Sequence, residues 1–273
     1  MAHTSTGESQ GIAIVREVSD THTHCTRQYQ RRESIDIESA RVQHRAYIGA
    51  LEELGLRVLL LPADHRFPDA CFVEDVAVLL DETAVITWMG ATTRNGEQEA
   101  VARCLSQWRE IIRMEPPAQL EGGDVLKVGK TLFVGESCRT NRAGHEFLQA
   151  VAQARGYEVI AVPVRRVLHL KTAVTALERS RVIVAPSILA EVKRCMGDLT
   201  IIELTEECAS AANVISRGTV LLPRGYQPVA AELVTLGFTV KELEMSEFRK
   251  GEAGLTCLSI IIDQNSHGSG NKP

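Results

Sequence analysis

The sequence predicts an α/β chain made of repeated strand–strand–helix–strand units whose two ends join to close a ring. Three observations carry this expectation. Short apolar runs come in pairs across a tight turn, as in Val125-Leu126-Lys127-Val128, Gly129-Lys130, Thr131-Leu132-Phe133-Val134. Each pair leads into a segment with helical spacing and then into another apolar run. The turns recur every 40–50 residues or so, about the period of solenoids and propellers.

In chain order, 11–15 (Gly-Ile-Ala-Ile-Val) reads as a strand, 37–53 as a helix broken at Gly55, and 57–61 as a second strand. The next unit has strands at 71–73 and 76–80, a turn at Asp81-Glu82, a strand at 84–87 and a helix over 96–113 with Val101, Leu105, Trp108 and Ile112 on one face. A third unit has the hairpin 125–134, a helix over 142–155 stopped by Gly156, and a strand over 158–164. The fourth has strands at 173–177 and 181–185, a helix at 187–196 ending at Gly197, and a strand at 200–204. The fifth has 212–215, Arg217-Gly218, 219–222, a helix at 228–236 before Gly237, and 238–243. A last strand, 255–262, has no partner unless it meets 11–15. That pairing would leave no free sheet edge at the ends. One domain over 11–263 follows, with polar ends 1–10 and 264–273 expected to lack fixed structure. An open doubly wound sheet is the alternative, but it expects a glycine-rich phosphate loop, and Gly122-Gly123 lacks the third glycine.

Bulk properties exclude several function classes. The 273 residues are 44% hydrophobic and 24% charged, ordinary for a globular protein. A net charge of −5 offers no basic surface for nucleic acid. No apolar run reaches the roughly 18 residues of a membrane span. The start MAHTSTGESQ lacks the basic and apolar regions of a signal peptide. Seven cysteines without a paired or metal-ligand spacing argue against disulfides and structural zinc, and point to a reducing, cytoplasmic setting.

Several segments carry polar groups that a structural strand or turn does not need. Cys257, in Gly-Leu-Thr-Cys-Leu-Ser, sits where a loop runs into the last apolar strand. Most buried thiols are inert small hydrophobes, but one held on a rigid edge can serve as a nucleophile. His169, between Leu168 and Leu170, is either a satisfied structural histidine or a general acid/base. Glu121 opens Glu-Gly-Gly-Asp, whose glycines permit close backbone approach. In Phe67-Pro68-Asp69-Ala70-Cys71-Phe72-Val73-Glu74-Asp75, extended backbone would send Glu74 and Asp75 to opposite faces, so one must turn inward or sit in a bulge. A buried carboxylate there calls for a cation, best a guanidinium. Arg94 and Arg139 occupy matching loops of neighbouring units and suggest a carboxylate clamp. His22, His24 and Cys25 mimic a metal cluster, but they lie in the polar segment 18–36, which reads as a mobile loop or lid.

Taken together, Phe-Pro-Asp-Ala-Cys-Phe-Val-Glu-Asp (67–75), Glu-Gly-Gly-Asp-Val-Leu (121–126), Phe-Val-Gly-Glu-Ser…Arg-Thr-Asn (133–141), Leu-His-Leu-Lys (168–171) and Leu-Thr-Cys (255–257) resemble the dimethylarginine dimethylaminohydrolase family. The resemblance covers nearly the whole chain. It implies the five-bladed α/β-propeller (pentein) fold and hydrolysis of Nω-methylated arginine to citrulline and a methylamine, without cofactor or metal. It also implies Cys257 as nucleophile, forming an S-alkylthiouronium, with His169 as acid/base and Glu121 holding the site. Asp75, with Glu74, matches the guanidinium partner; Arg94 and Arg139 match the carboxylate clamp, Asp69 the α-amino ligand, and Gly251 a further substrate contact. Arginine deiminases and amidinotransferases of this superfamily carry His-x-Asp where Lys171 stands here, which favours an alkylated guanidinium.

The chain departs from the family pattern at Trp88-Met89-Gly90-Ala91, usually Arg-Pro-Gly-Ala, at Glu252, usually Asp, and in the segment 18–36. These departures keep open the same chemistry on another N-substituted guanidine or arginine derivative, with arginine deimination a further alternative. A non-catalytic binding role is the rival from a different class, since the same propeller serves a ribosome-associated initiation factor. A small molecule is the expected partner, with no nucleic acid or membrane, and a homodimer is compatible with the sequence.

Overall fold

In a computed structural model of the chain, which describes residues 11–29 and 33–263, the strands form five three-stranded sheets. The first contains β1 (Gly11–Arg16) and, after helix α1 (Ile37–Glu53), β2 (Leu56–Leu61). The second has β3 (Ala77–Leu79), β4 (Thr83–Ile86), α2 (Gln98–Leu105) and β5 (Glu110–Arg113). The third has β6 (Val125–Val128), β7 (Thr131–Glu136), α3 (Arg142–Gln153) and β8 (Glu158–Pro163). The fourth begins with the single turn α4 (Leu170–Ala173), then β9 (Val174–Glu178), β10 (Arg181–Val184), α5 (Leu189–Cys195) and β11 (Thr200–Glu203). The fifth has β12 (Ile215–Arg217), β13 (Thr219–Pro223), α6 (Gln227–Thr235) and β14 (Thr239–Leu243). The turn α7 (Ser246–Arg249) then leads to β15 (Ile260–Asp263).

Every sheet has the same plan. A middle strand pairs antiparallel with a hairpin partner and parallel with a strand reached through a helix, as β7 does with β6 and β8. Parallel neighbours need such a crossover, whereas antiparallel ones need only a tight turn. In the first sheet the hairpin partner of β1 comes from the far end of the chain: Ile12 faces Ile262 and Ile14 faces Ile260 across an antiparallel ladder. The middle strands are buried almost throughout, β1 over all six residues, so they read as continuous apolar runs and not as alternating ones. Gly129 and Gly218 turn two of the hairpins at φ 60° and 75°, a left-handed conformation that favours glycine.

The structure differs from the sequence reading at several element ends, at one expected strand and in the segment 18–36. The helix expected over 96–113 stops at Leu105, and Glu110-Ile111-Ile112-Arg113 is β5. A short run with two β-branched residues is ambiguous by periodicity, and the ladder to β4 decides it. Residues 71–73 are not a strand: Val73–Val76 forms a 3-10 turn. Cys257 likewise lies in the 3-10 turn Thr256–Leu258, one step before the last strand. Ala212 ends the 3-10 segment Glu206–Ala212, so β12 starts later than expected. In the segment 18–36, His22 is fully buried and its Nδ1 donates to the carbonyl of Pro68 at 2.8 Å, so this part is packed core. The terminal segments 1–10 and 264–273 lie outside the described residues. Among the described residues no helix is long and apolar enough to cross a membrane.

Each hairpin is preceded by a short helical turn: Val73–Val76, Gly122–Asp124, α4, Glu206–Ala212 and Thr256–Leu258. These turns touch one another. Val73–Val76 packs on Gly122–Asp124 and on Thr256–Leu258, and α4 packs on Gly122–Asp124 and on Glu206–Ala212. Glu74, Asp75 and Cys257 lie on these turns, and Glu121 and His169 sit at the start of two of them.

Candidate active site

The Glu-Gly-Gly-Asp turn is built for close approach. A Cβ on Gly122 would lie 2.1 Å from the carbonyl oxygen of Glu74, and one on Gly123 would lie 2.7 Å from both Nδ1 of His169 and Oδ1 of Asp75. Only glycines let the third sheet's entry turn nest against those of the second and fourth. Gly123 N–H also donates to Asp75 Oδ1 at 3.0 Å. Asp124, which ends the turn, ties the fourth sheet on: its Oδ1 accepts from Leu170 N–H at 3.0 Å, and its Oδ2 accepts from Ser137 and Thr140 hydroxyls at 2.6 and 2.7 Å.

His169 is buried, with Nε2 2.7 Å from Oε2 of Glu121 and Nδ1 3.9 Å from Oδ1 of Asp75. Burial pulls the imidazole pKa down. Asp75, the hydrogen bond to Glu121 and Asp124 outweigh it and raise the value from 6.5 to about 9. At neutral pH this ring is an imidazolium, with a carboxylate facing each nitrogen. Burial also opposes the charge on Glu121, but the His169 hydrogen bond and charge, with Arg94 and Arg139, hold its carboxyl below the usual range. Its other oxygen accepts from Ala91 N–H at 2.9 Å and Nη1 of Arg139 at 3.3 Å.

Cys257 is partly buried, and its Sγ accepts from Gly254 N–H at 3.4 Å. Burial first, then the negative charges of Glu74 and Asp75, push its thiol well above the ordinary range; Gly254 N–H and Lys171 oppose them. In the unliganded site the sulfur is therefore a protonated thiol. Glu74 and Asp75 are both buried, because the backbone between them is a 3-10 turn and not the extended strand that would have separated them. Glu74 is held by Lys171 Nζ at 2.6 Å and by the Thr256 hydroxyl at 2.7 Å, and burial raises its pKa despite the lysine.

The sequence reading missed Asn213. Its Oδ1 accepts from Thr256 N–H at 2.9 Å, and its Nδ2 donates to Thr256 Oγ1 and to the Lys171 carbonyl at 3.0 and 2.9 Å. It thus joins the fifth sheet's entry turn to the turn that carries Cys257. A lone Asn before a weak strand gave no signal of this.

One cleft is lined by Asp69, Asp75, Arg94, Arg139, His169, Gly251 and Cys257. Glu74 and Glu121 lie behind it, holding Lys171 and His169. The two arginines are placed differently. Arg94 is buried, with Nη1 2.7 Å from Asp75, Nη2 2.9 Å from Glu97, and further bonds to the carbonyls of Asp69 and Phe72. Glu97 was not singled out from the sequence, although Arg-x-x-Glu is the spacing of a helical ion pair. Arg139 sits nearer the opening, between Glu121 and the Gln28 side chain.

The free volume of the cleft is only about 20 Å3, because the segment after Cys25 bridges it. Thr26 donates to Asp69 from both backbone and hydroxyl at 3.1 Å, and Gln28 N–H donates to the Glu252 carboxylate at 3.0 Å. Glu252 adopts φ 61°, uncommon for a residue with a side chain.

Among the described residues, Asp75, Glu121 and His169 have ligand atoms within 4.8 Å of one another, close enough to share a cation. A metal there would displace the proton that the His169–Glu121 bond now holds. His22 and Cys25 form no such group with His24: the His22 ring stands edge-on to Phe72 at 5.3 Å.

What the arrangement offers is a thiol, an imidazolium fixed by a carboxylate, and two buried acids suited to a planar cation. The sequence profile described as "N,N dimethylarginine dimethylhydrolase, eukaryotic" matches residues 12–216. The chain is 37% identical over 257 residues to an N(G),N(G)-dimethylarginine dimethylaminohydrolase from Streptomyces coelicolor, covering 92% of this chain and 96% of that one. It is similar to the solved structure of the Pseudomonas aeruginosa enzyme, a cysteine-to-serine mutant complexed with citrulline, with TM-score 0.88, 33% identity, and 91% and 98% of the two chains covered. It also matches a histidine-to-glycine variant of a dimethylarginine dimethylaminohydrolase carrying an S-methyl-L-thiocitrulline adduct, with TM-score 0.87, 33% identity and the same coverage. The chain belongs to the dimethylarginine dimethylaminohydrolase family.

Proposed function

We propose that this chain hydrolyses Nω-methylated L-arginine to L-citrulline and a methylamine through a covalent intermediate on Cys257. The observation that carries the reading is the buried His169–Glu121 pair opening onto the same cleft as the Cys257 thiol, beside Glu74 and Asp75. Family membership and the citrulline bound to the Pseudomonas relative support it.

In this reading the guanidinium of the substrate settles against Asp75 and Glu74. Its positive charge offsets the two carboxylates that hold the thiol pKa up, so Cys257 releases its proton to water as substrate binds. The thiolate attacks the guanidinium carbon and the π electrons of the C–N double bond move to nitrogen. His169 passes the proton on its ring to the leaving methylamine, the C–N bond breaks, and an S-alkylthiouronium remains. The now neutral imidazole takes a proton from water. The resulting hydroxide adds to the same carbon, and collapse breaks the C–S bond; the hydroxyl proton passes to the departing sulfur, which restores the resting thiol and leaves the ureido group of citrulline. Glu121 keeps the ring oriented and charged.

Arg139, with Arg94 behind it, forms the cationic wall for the substrate carboxylate, Asp69 takes the α-amino group, and Gly251 lines the bound chain. Substrate entry requires Thr26 to leave Asp69, which makes the 26–29 segment the lid of the site. The ring of entry turns and the β1–β15 ladder support a closed five-bladed α/β propeller, one unit over 11–263. The free cysteines suit a reducing cytoplasm.

The test is citrulline release from monomethylarginine, asymmetric dimethylarginine and unmodified arginine. Turnover of the methylated substrates in preference to arginine supports the reading. Turnover of arginine alone would make the chain a deiminase, and no turnover of any of the three would reject the assignment.

A further inference from the structure

Arg16, the last residue of β1, is 1% exposed and uses only one set of donors: its Nη2 reaches the carbonyl of Glu97 at 3.3 Å. Its Nε and Nη1 are buried without a hydrogen-bond partner. Glu97 and Asp64 lend it charge at longer range, but neither carboxylate bonds to it. A guanidinium left this way keeps most of its desolvation cost.

Beside it lies a cavity of about 570 Å3, within the size range of sites for small organic ligands. The acids around this cavity are committed elsewhere. Asp64 holds Arg66 through two bonds of 2.9 and 2.7 Å, the Glu97 carboxylate holds Arg94 at 2.9 Å, and Glu99 holds Arg113 at 2.9 Å. Arg103, exposed at the rim on α2, has no ion pair among the described residues. The exposed lining of the cavity that holds both cations is largely apolar, with Phe67 and Ala100 on it.

We propose that this cavity, between the end of β1, the 62–67 loop and α2, binds a small organic anion, with its carboxylate on Arg16 and Arg103 and its apolar body against Phe67. The site is distinct from the catalytic cleft. Glu97 stands between them, its backbone carbonyl on Arg16 and its carboxylate on Arg94.

Isothermal titration calorimetry of the full chain with benzoate, at constant ionic strength, tests this, with benzamide as the uncharged isostere. Benzoate should bind once per chain and benzamide should not. Arg16→Gln, the exposed Arg103→Glu, and Ala100→Trp, which fills the cavity without changing charge, should each weaken binding by roughly tenfold or more. Arg139→Gln, in the catalytic cleft, should leave it unchanged. Circular dichroism of each variant identifies any that does not fold; if Arg16→Gln is one, the other two substitutions decide. The proposal is overturned if wild type binds no benzoate or binds benzamide equally. It is also overturned if binding survives Ala100→Trp and Arg103→Glu, or disappears in Arg139→Gln, which would put the anion in the catalytic cleft. None of these outcomes depends on whether the chain makes citrulline.

Discussion

Nε2 of His169 and Oε2 of Glu121 lie 2.7 Å apart, both buried, with Asp75 on the far side of the ring. This pair sets the protonation of the site. In the free protein the imidazole carries a proton up to about pH 9, and the thiol of Cys257 stays protonated higher still. In the proposed mechanism the reacting form, thiolate with imidazolium, has one proton fewer than the resting form.

That difference gives the pH dependence its direction. Below about pH 9 the value of kcat/KM should climb about tenfold per pH unit, then level off as His169 titrates. Removing the carboxylate in Glu121→Gln lowers the imidazole pKa, so the break should move to lower pH. A wild-type profile that is level up to about pH 9 would contradict the assignment of these protonation states.

Stability follows the same pair. The folded pKa of His169 is about 9 against 6.5 unfolded, so its ionisation contributes stability that is complete below pH 6.5 and fades as pH rises through about 9. Denaturant unfolding should show the wild-type midpoint falling across that window, with a shallower fall in His169→Gln. Equal slopes for the two proteins would show that the raised pKa is not present.

Gly123→Ala tests the packing of the entry turns. The new Cβ would lie 2.7 Å from His169 and Asp75, and the backbone there must shift to admit it. We expect a loss of about 1–3 kcal/mol in stability and at least a tenfold loss in kcat, since overpacking in a rigid site moves the groups that do chemistry. Wild-type activity in this variant would mean that the turn is more compliant than its contacts imply.

Much of this architecture was legible in the sequence, because hairpin turns and stop glycines such as Gly156 and Gly237 punctuate it locally. The meeting of Ile14 with Ile260 could be reasoned only from two otherwise unpaired runs. What stayed hidden was the entry turns. Val73-Glu74-Asp75-Val76 has strand composition, yet it coils because Gly122 packs against its backbone, a long-range contact with no local signature. Asn213 was missed for the same reason: it matters through Thr256, far along the chain, and not through its own neighbours in sequence. Glu97 differs, because its partner Arg94 lies only three residues away.

Asn213→Ala separates that positioning role from chemistry. Losing both arms to Thr256 should loosen the turn carrying Cys257 and lower kcat by roughly 10- to 100-fold, with a smaller change in KM. An unchanged rate constant, measured by steady-state citrulline formation, would show that the turn is held well enough by Glu74 alone.

The central claim is that the reaction passes through Cys257. Acid-quenching the protein during turnover of asymmetric dimethylarginine, followed by peptide mass spectrometry, reads this directly. The account predicts a modification on the peptide containing Cys257 with the mass of the substrate less dimethylamine, absent in Cys257→Ser, which should also form no citrulline. Citrulline formation by Cys257→Ser, or an adduct on any other residue, would contradict it.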